Sequence, residues 1–198
     1  MKEVKNIGVP VVITRTPDGE TLHQDIYSRL LKDRIVMIDG EIEPHMASVV
    51  VAELLFLQSE DPTAPINLYI ASPGGSVTAG MSIIDTMNLV KPPVYTFSHG
   101  SIASMGSVIA SAGDKGHRYI LEHTQTMIHQ VSSGSQGNVQ DMEVSMNETR
   151  RINTVAMTLL ANNCGKTLEE LLKDTERDKF MDAEQAIAYG LVDEIIKK

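Results

Sequence analysis

Ser98-His99-Gly100-Ser101-Ile102-Ala103-Ser104-Met105-Gly106 follows an apolar run, Val94 to Phe97, and leads into small residues, Val108 to Ala112. The pattern predicts a strand over Val94 to Phe97 that turns sharply into a helix over Val108 to Ala112, with Ser104 near the turn. Small neighbours at such a place let a substrate backbone approach. The free N–H groups and positive potential of a helix start favour a developing oxyanion. A serine there suits a nucleophile and suits a helix cap equally well; this stretch alone does not separate the two.

Upstream, Arg34 to Asp39 is an apolar run ended by Gly40, and Ile66 to Ala71 is another, broken by Ser72-Pro73-Gly74-Gly75-Ser76. Both predict buried strands. Between them Pro44 opens a helix whose apolar stripe is Met46, Val49, Val50, Leu54 and Leu57, closed by Asp61-Pro62. A further helix runs to about Val90 and stops before Pro92-Pro93. At the start, Met1 to Leu22 predicts a short hairpin or arm around Pro17-Asp18-Gly19, and Asp25 to Leu31 one or two helical turns.

Downstream, Arg118 to Leu121 and Thr126 to His129 predict two short strands. The polar loop Val131 to Gly137 leads into a long helix with Val139, Met142, Met146, Ile152, Ala156 and Leu159/Leu160 at helical spacing, up to Cys164-Gly165. Thr167 caps a helix through Leu172, Ala183 to Tyr189 forms the last helix, and Leu191 to Ile196 a final strand. Strands and helices alternate throughout, so the fold class is α/β, with one domain over 1–198.

The 198 residues are 42% hydrophobic and 22% charged, enough for a sizeable core. A net charge of −9 without a Lys/Arg block argues against nucleic acid or an anionic membrane as partner. The single cysteine, Cys164, excludes an internal disulfide and a cysteine metal site. No secretory h-region or membrane span stands out, so a cytoplasmic protein is expected. No H-E-x-x-H or Cys/His cluster is present, and no metal or other cofactor is assigned.

Two further places bear on chemistry. The Ser72-Pro73-Gly74-Gly75 turn can present bare N–H groups to a phosphate or oxyanion, or be only a turn. It is neither a P-loop nor G-x-G-x-x-G. His129, at a strand end, is a candidate general base if paired with a helix-start serine. Asp178 is one of many carboxylates that could orient it, and spacing does not choose among them. A G-x-S-x-G elbow is absent because Ile102 stands two residues before Ser104, and the order serine, histidine, aspartate differs from that of the α/β-hydrolases.

Over nearly its whole length the chain resembles ClpP, the proteolytic subunit family of the ATP-dependent Clp proteases. The resemblance rests on Asp25 to Leu31, Tyr69 to Ile83, Ala103-Ser104-Met105-Gly106, Met127-Ile128-His129-Gln130 and Thr175 to Phe180. It implies the crotonase-like ββα-spiral fold with a protruding handle (about 131–163). It implies a serine endopeptidase with Ser104 as nucleophile, His129 as base and Asp178 as orienting acid, and with an oxyanion hole from the N–H groups of Gly75 and Met105. It further implies two stacked seven-membered rings of this chain enclosing a chamber, with Asp141 and Arg177 pairing across the ring–ring contact. A Clp AAA+ unfoldase of the ClpX, ClpA or ClpC type would feed unfolded polypeptide and use the ATP. Leu55, Phe56, Tyr69 and Leu89 would form its docking pocket.

Several positions depart from the family pattern. Val131-Ser132-Ser133-Gly134 replace a usual proline and paired glycines, and Asn67 replaces a frequent aromatic. Cleavage preference and partner affinity are the properties expected to differ. No recognisable propeptide precedes the arm, so little or no processing is expected. The alternatives are a catalytically weak structural subunit of a mixed ring and an acyl-CoA hydratase or isomerase on the same spiral fold. The latter has no use for a Ser104/His129 pair.

Overall fold

The computed structural model describes residues 8–15 and 18–197. Of the arm expected over 1–22, residues 1–7 and 16–17, including Pro17 of the turn, lie outside the described residues. β1 (Val11–Arg15) and β2 (Thr21–Asp25) pair antiparallel, with Val11 opposite Asp25. Asp25 then caps α1 (Ile26–Lys32), accepting the Ser28 N–H at 2.9 Å.

From there strands and helices alternate as the sequence pattern predicts: β3 (Ile35–Asp39), α2 (Pro44–Glu60), β4 (Ile66–Ser72), α3 (Val77–Leu89), β5 (Val94–Ala103), α4 (Met105–Ser111) and β6 (Arg118–Leu121). Next come β7 (Gln125–Ile128), α5 (Val139–Cys164), α6 (Leu168–Asp174), β8 (Lys179–Met181), α7 (Ala183–Tyr189) and β9 (Glu194–Ile196). The main sheet has the order β3-β4-β5-β6-β9, with β7 added to β5 and β8 to β7. All its pairings are parallel except β7 with β8. Ile38, Ile70, Ile102 and Ile120 from the sheet and Leu54, Ile83 and Ile109 from the helices are fully buried between the layers. That apolar layer is what holds the strands in register.

β5 is longer than the apolar run Val94 to Phe97 predicts. Its first half pairs with β6 (Thr96–Ser98) and its second half with β7 (Ser101–Ala103). The strand therefore crosses from one neighbour to another, with Gly100 at a φ of +63° in between. This switch carries the chain beyond Phe97 as strand and delivers Ser104 at its end. α4 correspondingly starts at Met105, three residues before the predicted start.

Other differences have packing causes. On α2 the buried residues are Ala47, Val50, Leu54 and Leu57, while Val49 lies outside the stripe, 45% exposed. On α5 only Ala156, Met157, Leu160 and Ala161 are buried. Val139, Met142 and Met146 of the expected stripe are exposed, because the first half of α5 projects from the body. β9 starts at Glu194 rather than Leu191, since Gly190 takes the left-handed conformation and Leu191 and Val192 are buried in the turn. β8 has no counterpart in the sequence reading. No helix among the described residues is long and apolar enough to cross a membrane.

Candidate active site

Ser104 stands between β5 and α4 with φ 53° and ψ −123°. A non-glycine residue there costs about 1–3 kcal/mol and persists only where its surroundings impose it. The surroundings are visible. Its N–H donates to the Met127 carbonyl of β7 at 3.0 Å, and its carbonyl accepts the N–H groups of Ser107 and Val108, starting α4. Ser107, fully buried, donates its hydroxyl to Met127 O at 2.8 Å and Ile102 O at 3.2 Å. The side chain of Ser104 makes no capping bond. The capping alternative is thereby removed.

Room for this turn comes from glycines on either side. A Cβ on Gly74 would lie 2.6 Å from the Ser104 Cβ, and one on Gly106 would lie 2.8 Å from the Ser72 carbonyl. The structure thus builds a strained strand–serine–helix turn without a glycine at 102. The steric relief that the elbow motif takes from its first glycine comes here from Gly74, on the loop after β4.

His129 follows β7 directly, and Asp178 directly precedes β8. In the antiparallel ladder Thr126 faces Met181, Met127 faces Phe180 and Ile128 faces Lys179. Continuing that register by one step sets His129 opposite Asp178. Nε2 of His129 lies 2.8 Å from the Ser104 Oγ, and Nδ1 lies 3.5 Å from Oδ1 of Asp178. A proton on Nδ1 leaves Nε2 to accept from the serine hydroxyl. The first leg is a full hydrogen bond. The second is long for one, and the Asp178 side chain is 58% exposed.

Gly75 has φ +148° and bridges to Ile42: Ile42 donates to Gly74 O, and Ser76 donates to Ile42 O, both at 2.8 Å. The Gly75 N–H takes no part in that bridge. Neither it nor the N–H of Met105 at the start of α4 has an acceptor among the described residues. Both residues line a cavity of about 60 Å³ together with Ser104, His129, Val77, Val108, Val131, Ser132, Ala156 and Met157. Two unpaired N–H groups beside a serine–histidine pair can stabilise an oxyanion. Ser72 supports the glycine turn, its hydroxyl accepting the Gly74 N–H at 3.1 Å.

The sequence model described as Clp protease matches residues 18–198. The chain belongs to the Clp protease family. It is a ClpP-type protein, and its α/β architecture is the ClpP, crotonase-like spiral fold with α5 as the handle. The family makes it a protease.

The remaining expected residues are placed apart from this centre. Asp141, in the first turn of α5, is exposed and accepts a bond from the Asn138 amide at 2.6 Å. Arg177 is exposed next to Asp178, and no ion pair joins it to Asp141 within the chain. Leu55 and Phe56 on α2 and Leu89 on α3 are exposed apolar side chains, and Tyr69 on β4 stacks on Phe97 at 4.7 Å. Among the described residues no group of His, Cys, Asp or Glu could hold a metal. Sequence reasoning missed Ser107 and the steric roles of Gly74 and Gly106, which exist only once β4, β5 and β7 are side by side. A run rich in glycine and serine was the only available signal.

Proposed function

We propose that the chain is a serine endopeptidase in which Ser104 attacks the carbonyl carbon of a peptide bond. His129 Nε2 takes the hydroxyl proton as the C–O bond forms, and the N–H groups of Gly75 and Met105 bind the oxyanion. The carbon–nitrogen bond then breaks and His129 gives the proton to the leaving amine. Water attacks the Ser104 ester, again losing its proton to His129, and the acid is released with Ser104 regenerated. Asp178 holds the imidazole tautomer and stabilises the imidazolium. The observation that carries this reading is the 2.8 Å contact between His129 Nε2 and an uncapped, strained Ser104.

The wider reading follows the family. Two stacked heptameric rings of this chain form a chamber in the cytoplasm, with Asp141 and Arg177 pairing between rings. An AAA+ Clp unfoldase docks on Leu55, Phe56, Tyr69 and Leu89, spends the ATP and threads unfolded polypeptide inside. The chain itself needs no cofactor. A fluorophosphonate probe tests the chemistry: covalent mass added at Ser104 supports the reading. Absence of labelling in assembled protein overturns it in favour of a structural subunit of a mixed ring.

A further inference from the structure

The β7–β8 ladder ends at Ile128 opposite Lys179, and residues 129–137 form neither helix nor strand. Beyond His129, whose ring meets Ser104, two side-chain bonds among the described residues hold this loop to the body. One is a long contact of the Gln130 amide with Leu172 O at 3.5 Å. The other is shorter: the Val131 N–H donates to Oδ1 of Asn153 on α5 at 2.9 Å.

That bond joins the two walls of the cavity beside Ser104. Val131 and Ser132 line it from the loop side, and Ala156 and Met157 from the helix side. Asn153 lies three and four residues before Ala156 and Met157, one turn away along the same face of α5. Its side chain makes no other hydrogen bond among the described residues. The partly open space between these walls, about 60 Å³, is well below the roughly 150 Å³ of an apolar cavity that admits benzene.

We propose that Asn153 is a positioning residue that sets which side chain precedes the cleaved bond: it clips the loop after His129 to α5 and keeps the cavity small, so that cleavage follows short side chains. The proposal rests on the reading of Ser104 as nucleophile. Without the clip, Val131 and Ser132 can move away from Ala156 and Met157, and the walls that exclude a large side chain separate.

The test compares assembled wild type, Asn153→Ala and Asn153→Asp on two fluorogenic peptides that differ only in alanine or phenylalanine before the cut. Wild type is expected to favour alanine in kcat/KM. Asn153→Ala should lower that preference about tenfold, the scale on which a pocket discriminates by size. Asn153→Asp keeps an acceptor oxygen for the Val131 N–H and should restore the preference. Hydrogen exchange of the segment containing Val131 should quicken roughly 2- to 10-fold in Asn153→Ala alone, with core segments unchanged. An unaltered preference or exchange rate in Asn153→Ala overturns the proposal, as does Asn153→Asp behaving like the alanine variant. The outcomes separate from the parent reading. If Ser104 takes a fluorophosphonate but the preference does not move, only the role of Asn153 fails. If Ser104 is not labelled and neither peptide is cut, both fail.

Discussion

Replacing Gly75 by alanine perturbs the site through backbone alone. At φ +148° an L-residue is strained, and the added Cβ would collide with the Ile42 carbonyl oxygen and sit 2.8 Å from its nitrogen. Those are backbone atoms, so the collision is relieved only by pulling the bridge between Ile42 and Gly75 apart. The strain costs about 1–3 kcal/mol. The two hydrogen bonds of the bridge contribute about 0.5–1.5 kcal/mol each. Together the substitution should destabilise by about 2–6 kcal/mol, a fall in Tm of roughly 4–24 °C for a chain of this size. It should also move the Gly75 N–H away from the serine, and losing one oxyanion donor costs roughly 10²–10³ in kcat. Gly116→Ala is the control, because φ there is +90° but no atom lies within 4 Å of the added Cβ. That variant should show strain in the melting curve and wild-type peptide hydrolysis. Thermal unfolding and hydrolysis of an unstructured peptide measure both effects. Wild-type rate and Tm in Gly75→Ala would refute the reasoning.

Three further outcomes follow from the same geometry. Asp178→Ala should lower kcat at least tenfold less than Ser104→Ala does, since the 3.5 Å contact of Asp178 with His129 is long and 58% of its side chain is in water; equal losses in steady-state assays would show a tighter coupling than the distance allows. Burial pushes the Cys164 thiol up to about 11, with Arg118 and Lys166 pulling only part of the way back. At pH 8 its thiolate fraction is then roughly 200-fold below that of a free cysteine, and higher intrinsic nucleophilicity returns about tenfold. A thiol reagent should therefore react about 20-fold slower with native than with urea-unfolded protein, and equal rates would contradict the burial. Arg118 is 3% exposed and donates to Asp193, Ser111 O and Asn163 O. Arg118→Ala should therefore cost roughly 3–5 kcal/mol in urea unfolding. Burial pushes the Asp193 carboxyl up, but the hydrogen bonds and charge of Arg118 outweigh it and hold the folded pKa low. The stability this contributes is full above the unfolded pKa of about 3.9 and is lost as pH falls through the folded value. The gap between wild type and Arg118→Ala should accordingly shrink in acid; a gap that widens there would oppose this.

Much of the architecture was legible because apolar runs ended by Gly40, Pro62 or Pro92 mark buried strands and helices with little ambiguity. Ser104 was legible as a place and ambiguous as a role. The choice between cap and nucleophile depends on ψ −123° and on where Oγ points, and both are imposed by Gly74 and Ser107 from neighbouring segments. Asp178 was one carboxylate among many by spacing, and only the family resemblance singled it out. Lys179–Met181 is too short for an alternating pattern, and the charged residues before it resemble a solvated face. Only its pairing with β7 turns that segment into the partner of His129. The first half of α5 misled in the opposite sense: its apolar residues keep helical spacing, yet among the described residues Val139, Met142 and Met146 stay exposed. Asn153 carried no signal, because its partner is a backbone N–H in an irregular loop.

The central claim is that Ser104 performs the chemistry. Its most direct test is hydrolysis of a small unstructured fluorogenic peptide by assembled wild type and by Ser104→Ala, without unfoldase or ATP. Wild type should turn the peptide over, and the variant should lose at least about a thousandfold in rate. Equal rates in the two proteins would contradict it.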